Sequence, residues 1–289
     1  MTIGQGHGIE GRFAGLPDPF GTLEHAKIVL IPVPFDKTTT YRQGTDLGPT
    51  ALIEASRNLE LYDIETDSEV YKKGIYTSEA ISSDNSDEML QKTYEATKKY
   101  LDQDKFIGVL GGEHSISFAP IKAFKEKYPT LTVLQFDAHA DLQRAYENNP
   151  WSHASVMARV QELKVKIVSV GIRSMSSEEL VNLNRPNTFF AHELFGEWMA
   201  KLISCLNDPV YITFDLDAFD SSLMPSTGTP EPGGLFWNET MQLLKKVFKE
   251  RNVVGFDIVE LCPNPINHAP DYLAAKLLYK LLSYKFSQD

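Results

Sequence analysis

Short apolar runs rich in Val, Ile and Leu alternate with longer segments of helical character along most of this chain. The runs are residues 27–33, 106–110, 131–137, 166–171, 209–215 and 253–259, with a shorter one at 188–191. Short, continuously apolar runs of this kind are the signature of strands covered on both faces. Between them, residues 50–62, 85–103, 115–127, 153–163, 176–183, 193–206, 237–250 and 271–284 read as helices, the third interrupted or started late by Pro120. This alternation predicts an α/β protein: one parallel sheet with helices on both faces, in a single domain over 27–289. Residues 1–26 hold Gly4, Gly6, Gly8, Gly11, Gly15 and Gly21 with Pro17 and Pro19, and read as an irregular N-terminal arm.

Ligands of such sheets bind beyond the carboxyl ends of the strands. His114, Asp137, His139, Asp141, Asp215, Asp217 and Glu260 all fall at or just past a predicted strand end. The sharpest segment is Gln135-Phe136-Asp137-Ala138-His139-Ala140-Asp141, where two acids flank an imidazole at alternate positions. Carboxylates this close repel each other unless a cation sits between them. Three strand ends together supply two histidines and four aspartates, with no basic residue nearby in sequence to pair them. Nitrogen and oxygen donors without a thiolate suit a pair of manganese-type ions better than structural zinc. Two ions can share a carboxylate and lower the pKa of a water between them towards neutrality.

Composition narrows the partners. Asp and Glu number 39 against 28 Lys and Arg, a formal net charge of -11. That argues against nucleic acid or an anionic membrane, both of which need a basic face, and is compatible with a small cationic substrate. Cys205 and Cys262 are too few for a disulfide framework or a zinc-cysteine cluster, so a reducing, cytoplasmic location is expected. The first residues lack the basic flank and apolar core of a signal peptide, and no apolar run reaches the length of a membrane span.

The segments GGEHSIS (111–117), DAHAD (137–141), SHAS (152–155), TFDLDAFD (213–220), STGTPEPGG (226–234) and DIVE (257–260) resemble the ureohydrolase (arginase/agmatinase) family in order and spacing. The resemblance runs from about residue 26 to the C-terminus. It implies a three-layer α/β/α fold around an eight-stranded parallel sheet, and two Mn2+ ions per chain. It further implies that His114, Asp137, Asp141 and Asp215 bind one ion and that Asp137, His139, Asp215 and Asp217 bind the other. By the same resemblance Asp141 hydrogen-bonds the attacking water, His153 handles the proton of the leaving amine, and Glu260 pairs with the substrate guanidinium. Homotrimers or homohexamers are implied as well.

Within the family, residues 142–151 lack the arginase pattern and are similar to bacterial agmatinases, as is PFDKTTTYRQGTDLGP at 34–49. The expected reaction is hydrolysis of agmatine to putrescine and urea. Glu147 is a candidate neighbour for the substrate's amine tail. Arg144, if it faced the cleft, would favour a carboxylate and hence guanidinobutyrate or another guanidino compound. Arginine ranks below both. A metal-binding protein without catalysis and a single-zinc, deacetylase-like hydrolase are the readings from other classes. The first would be supported by loss of a ligand, His153 or Glu260, and none is lost. The second would leave His114 and Asp141 without a purpose.

Overall fold

The computed structural model of the chain describes residues 9–287. In chain order the elements are β1 (Ile28–Val33), α1 (Gly48–Ser56), β2 (Ile75–Thr77), α2 (Ser86–Leu101), β3 (Phe106–Gly111), α3 (Phe118–Lys127), β4 (Thr132–Phe136), α4 (Val156–Glu162), β5 (Lys166–Ile172), β6 (Thr188–Phe190), α5 (Trp198–Cys205), β7 (Val210–Asp215), α6 (Trp237–Glu250), β8 (Val253–Val259) and α7 (Ala269–Phe286). The eight strands form one parallel sheet in the order β2-β1-β3-β8-β7-β4-β5-β6. Side chains alternate across each strand, so β1 sends Ile28 and Leu30 to one face and Val29, Ile31 and Val33 to the other. The first face packs against α1, α5, α6 and α7, and the second against α2, α3 and α4, giving the three layers.

The sheet order places the site. After β3 the chain skips a gap two strands wide, lays down β4, β5 and β6 outward, and returns to fill the gap with β7 and β8. The four central strands, β3, β8, β7 and β4, are therefore neighbours that come from distant parts of the sequence. Their C-terminal ends meet where the direction of winding reverses, which is where an open α/β sheet leaves a crevice.

Several local expectations change. The strand β2, three residues long at the sheet edge, has no counterpart among the apolar runs of the sequence. The helix expected at 176–183 is only a 3-10 turn, Ser177–Val181, started where the Ser176 N–H donates to Glu179 Oε2 at 2.6 Å. That Glu179 carboxylate also accepts from the Leu142 N–H at 2.8 Å, so the segment braces the chain just past Asp141 instead of extending as a helix. The helix expected from Glu193 starts at Trp198, because Gly196 takes a left-handed conformation (φ +62°) before it.

In the N-terminal segment, the expected irregular arm packs into the core at Phe13–Leu16. Phe13 and Leu16 are fully buried, and Phe13 stacks on Tyr279 of α7. Residues 1–8 of the arm, with His7, lie outside the described residues.

Candidate metal centre

Four strand ends deliver the site. The Gly111-Gly112 pair closes β3, and here glycine is required by space. A Cβ on Gly112 would lie 2.1 Å from the Phe35 carbonyl oxygen, because the 34–49 loop crosses directly over it. This crossing holds Glu113 and His114 at the sheet's edge of the crevice. The β4 end turns at Asp137, and Asp141 sits at φ +54°. Glu260, just past β8, takes φ +67°. Both are non-glycine residues in the left-handed region, strain of a kind that gathers at functional sites.

His114, Asp137, Asp141, Asp215, Asp217 and Glu260 are buried, and His139 is partly exposed. His114 Nδ1 lies 3.2 Å from Asp137 Oδ2, 3.0 Å from Asp141 Oδ2 and 3.3 Å from Asp215 Oδ2. His139 Nδ1 lies 2.9 Å from Asp217 Oδ2 and 3.8 Å from Asp137 Oδ1. Two groups of donors emerge, His114/Asp137/Asp141 and Asp137/His139/Asp217, and in each the donor atoms lie within 4.8 Å of one another. Asp137 belongs to both. Asp215 joins the first through His114 and touches the second through the Asp217 N–H, which donates to its Oδ1 at 2.8 Å. All six side chains expected to bind ions thus converge on one spot.

The electrostatics are those of crowded, buried acids. Burial, then the Asp217 and Asp137 charges, push Asp215 well above the usual carboxylate range. Burial and Asp137 likewise raise Asp141. Burial works against charging His139, yet Asp217, Asp137 and Asp141 lift it to about 11. Asp217 is held at about 2, its burial outweighed by His139 and by the Ala138 N–H. The carboxylates demand positive charge, and draw it from protons and imidazolium groups wherever no other cation supplies it.

The donors fit metal ions in a more specific way. His114 Nε2 lies 2.9 Å from Thr213 Oγ1, and the Thr213 hydroxyl donates to Asp257 Oδ1 at 2.7 Å. With its hydrogen committed to Asp257, Thr213 accepts from Nε2–H. That assignment from the network leaves Nδ1 to face the carboxylates, as a lone pair where a cation is bound and otherwise with a proton, since against its burial Asp137, Asp141 and Asp215 raise the His114 pKa well above the usual histidine range. Nδ1 is buried and has no hydrogen-bond partner, although three carboxylate oxygens surround it. A lone pair facing three anionic oxygens is repulsive in every direction unless a cation lies between them. A histidine whose remote nitrogen is fixed by a carboxylate-linked partner is the usual support of a metal ligand. Gln135 adds a second brace, donating from Nε2 to Asp137 Oδ2 at 2.8 Å while its Oε1 accepts from Ser169 Oγ at 2.7 Å.

Glu260 reaches the cluster through Oε1, which accepts the His114 backbone N–H at 2.7 Å. Burial and the Glu113 charge raise its pKa well above the usual range. Gly228 lies against its other oxygen, with an added Cβ only 3.1 Å from Oε2. His153 is half-buried, with Nδ1 3.2 Å from Thr38 Oγ1 and the ring edge-on to Tyr146 at 5.9 Å. Burial lowers its pKa. Arg144 and Glu147, the two candidates for the substrate's far end, are both exposed, and Glu147 is at the tip of the Tyr146–Asn149 turn with φ +50°.

Sequence reasoning missed Thr213, Asp257, Gln135 and Glu113 as working parts of the site. Asp257 carried a readable signal, since it is an acid inside the otherwise apolar run 253–259. Asp220, the last acid of the 213–220 segment, is no part of the donor cluster. It ties the 221–234 loop together, accepting from the Ser222, Gly233 and Gly234 N–H groups and from the Ser222 hydroxyl.

The sequence model described as "Arginase family" matches residues 26–283. The chain belongs to the arginase family. It is a ureohydrolase of that family, and its relatives agree with the match. A Synechocystis protein named N(1)-aminopropylagmatine ureohydrolase is 35% identical over 272 residues, covering 90% of this chain and 89% of its own length. A Bacillus cereus protein named agmatinase is 35% identical over 252 residues, covering 84% of this chain and 86% of its own. The solved structure of agmatine ureohydrolase of Thermoplasma volcanium superposes on this ureohydrolase with a TM-score of 0.84 at 30% identity, over 91% of each chain. Among the described residues no helix is long and apolar enough to cross a membrane.

Proposed function

We propose that this ureohydrolase cleaves the guanidino group of agmatine to urea and putrescine, using two Mn2+ ions. His114, Asp137, Asp141 and Asp215 would hold one ion, and Asp137, His139, Asp215 and Asp217 the other. The observation that carries the reading is the buried, partnerless His114 Nδ1 amid three carboxylates. Two divalent ions, when bound, supply the Lewis acidity that brings an attacking water's pKa near neutrality.

The chain's own residues do the rest. Glu260, anchored through Oε1 on the His114 N–H, presents Oε2 to the planar guanidinium, a geometry suited to a fork of N–H donors. Asp141 accepts a hydrogen bond from the attacking water and aims it at the guanidinium carbon. As the C–N bond to the alkyl chain breaks, the leaving nitrogen takes a proton passed through Asp141 and His153. Water is consumed, and an alkylammonium ion and urea are the products, so charge and atoms balance. The lowered pKa of His153 keeps it neutral, and so able to accept a proton, near pH 7.

Relatives named for agmatine and for N(1)-aminopropylagmatine support a substrate with a guanidinium at one end and an amine at the other. The second is a specific alternative, because several relatives at 35–36% identity carry that name. A cytoplasmic homotrimer or homohexamer belongs to the same reading, and the two free thiols, Cys205 and Cys262, fit a reducing compartment.

Urea release with Mn2+ from agmatine, N(1)-aminopropylagmatine, guanidinobutyrate and arginine tests the proposal. Agmatine as best substrate supports it, while aminopropylagmatine or guanidinobutyrate would reassign the far end of the cleft. Urea from none of them would sink the reading. Elemental analysis should find two Mn per chain.

A further inference from the structure

The proton-handling imidazole is held by a hydroxyl from a different loop, and that hydroxyl has no freedom left. Thr38 Oγ1 donates to Glu113 Oε1 at 2.7 Å. It also accepts the backbone N–H of His153 at 3.0 Å. Glu113 is fully buried, and its carboxylate is filled by donors that fix its role as acceptor. Oε2 takes the Lys37 and Thr38 N–H groups, each at 2.7 Å, and Oε1 takes the Ser115 hydroxyl at 2.5 Å beside that of Thr38. Backbone N–H groups can only donate, so the direction of the two bonds to Oε2 is not open to choice, and at Oε1 of an ionised carboxylate both hydroxyls must donate. The one remaining contact of Thr38 Oγ1 is His153 Nδ1 at 3.2 Å. With its hydrogen spent on Glu113, Thr38 can offer Nδ1 only a lone pair.

We propose that Thr38, oriented by Glu113, is a positioning residue that holds His153 as its Nδ1–H tautomer and leaves Nε2 bare to accept a proton. This rests on the reading of His153 as the proton-handling group. It adds the reason that the right nitrogen is free. In the sequence, the segment PFDKTTTYRQGTDLGP stands out only through its similarity to agmatinases; the structure assigns one of its threonines a task. The proton balance is simple. Nε2 receives a proton to give an imidazolium, Nδ1–H stays bonded to Thr38, and the same Nε2 proton goes on to the leaving amine. An imidazole in the other tautomer would present Nε2–H and could not take a proton there. A competitor exists in Ser152, whose Oγ lies 3.3 Å from the same Nδ1. If Ser152 donated into Nδ1, the opposite tautomer would result.

The test uses the full chain labelled with 15N-histidine and loaded with a diamagnetic divalent ion such as Zn2+, with His153 assigned through His153→Gln. The 15N shifts should show Nδ1 protonated and Nε2 bare in the wild type. Thr38→Val, nearly isosteric, should move His153 towards the Nε2–H form. With Mn2+ and the best guanidino substrate, it should lower kcat by roughly 10- to 100-fold with little change in KM, part of the 100- to 10,000-fold that a positioned proton-transfer group supplies. Thr38→Ser should restore both the tautomer and kcat. Ser152→Ala should leave the tautomer in place.

A wild-type Nε2–H tautomer overturns the proposal. So does a Thr38→Val protein with unchanged tautomer and kcat, or a tautomer that follows Ser152 instead of Thr38. The tautomer is read without any turnover, so absence of urea release would remove the functional reading while leaving this one decided by the spectra.

Discussion

Two clusters of charge among the described residues, one buried and one partly so, differ in what completes them. On the helical face formed by α6 and α7, Lys280 of α7 reaches Asp63 and Glu65 at 3.0 and 2.6 Å, and Tyr284 donates to Glu65 at 2.8 Å. Lys245 adds a second cation to Glu65 at 3.0 Å. Here both carboxyl pKa values are lowered, Glu65 to about 2, because the lysines and Tyr284 outweigh burial. In the candidate metal centre, Asp215 and Asp141 are raised, Asp217 is held by His139 at about 2 against its burial, and both imidazoles are forced towards charge. One cluster holds lysine cations; the other sets four carboxylates around two imidazoles, which take up protons where no other cation is bound. The source of the balancing charge, lysines in one cluster and protons or imidazoles in the other, separates a finished structural network from a site built for something else.

The contrast can be broken most severely at Asp137, the one carboxylate common to both donor groups. Asp137→Asn should cost more than about 100-fold in kcat, beyond the loss typical of a mutated outer-shell partner, and should lower metal content by elemental analysis. A folded Asp137→Asn protein with full turnover and two ions would break the scheme. Chelation comes next. Removing the ions should lower Tm by roughly 5–10 °C, the scale expected when a ligand well above its Kd is withdrawn, and Mn2+ should restore it. An unchanged melting curve would mean that the cluster needs no cation.

The self-contained cluster should respond in the opposite sense. Lys280→Met should cost about 3 kcal/mol by urea denaturation, the low end for breaking a buried pair because Glu65 is partly exposed, and should leave kcat and metal content unchanged. A loss of metal would show that the two clusters are coupled. The smallest effect is on pH. The folded-state pKa values of Asp63 and Glu65 are depressed, so their contribution is present above the unfolded carboxyl values near 4 and is lost as pH falls towards about 2. The Lys280→Met protein should therefore show a shallower loss of stability than the wild type over that window.

Much of the site was legible in the chain because the chemistry lies where strands stop. Asp137, His139, Asp141, Asp215 and Asp217 interrupt apolar runs, and a charge there announces itself. The edge strand Ile75–Thr77 was not legible: three residues are too few to show a period, and only pairing with β1 makes them a strand. The supports of the site were hidden for another reason. Thr213 and Gln135 are ordinary residues in buried strands, and their work depends on which neighbours the sheet order gives them. Thr213 acts on His114 and Asp257 because β7 and β8 are adjacent and β3 lies next to β8. Nothing local in the sequence says so. Glu147 and Arg144 illustrate the converse, conspicuous charges beside the key motif that the fold leaves exposed.

The order of the sheet also sets a timetable for the centre. β3 and β4 are made early and carry His114 and the Asp137–Asp141 segment, but two strands stand between them in the finished sheet. Those strands, β7 and β8, are among the last to be synthesised. The chain up to residue 206 supplies four of the six candidate ligands, at the ends of two strands that are not neighbours in the finished sheet. Residues 210–259 supply the other two and the strands between, so the candidate pocket is complete only when the sheet is.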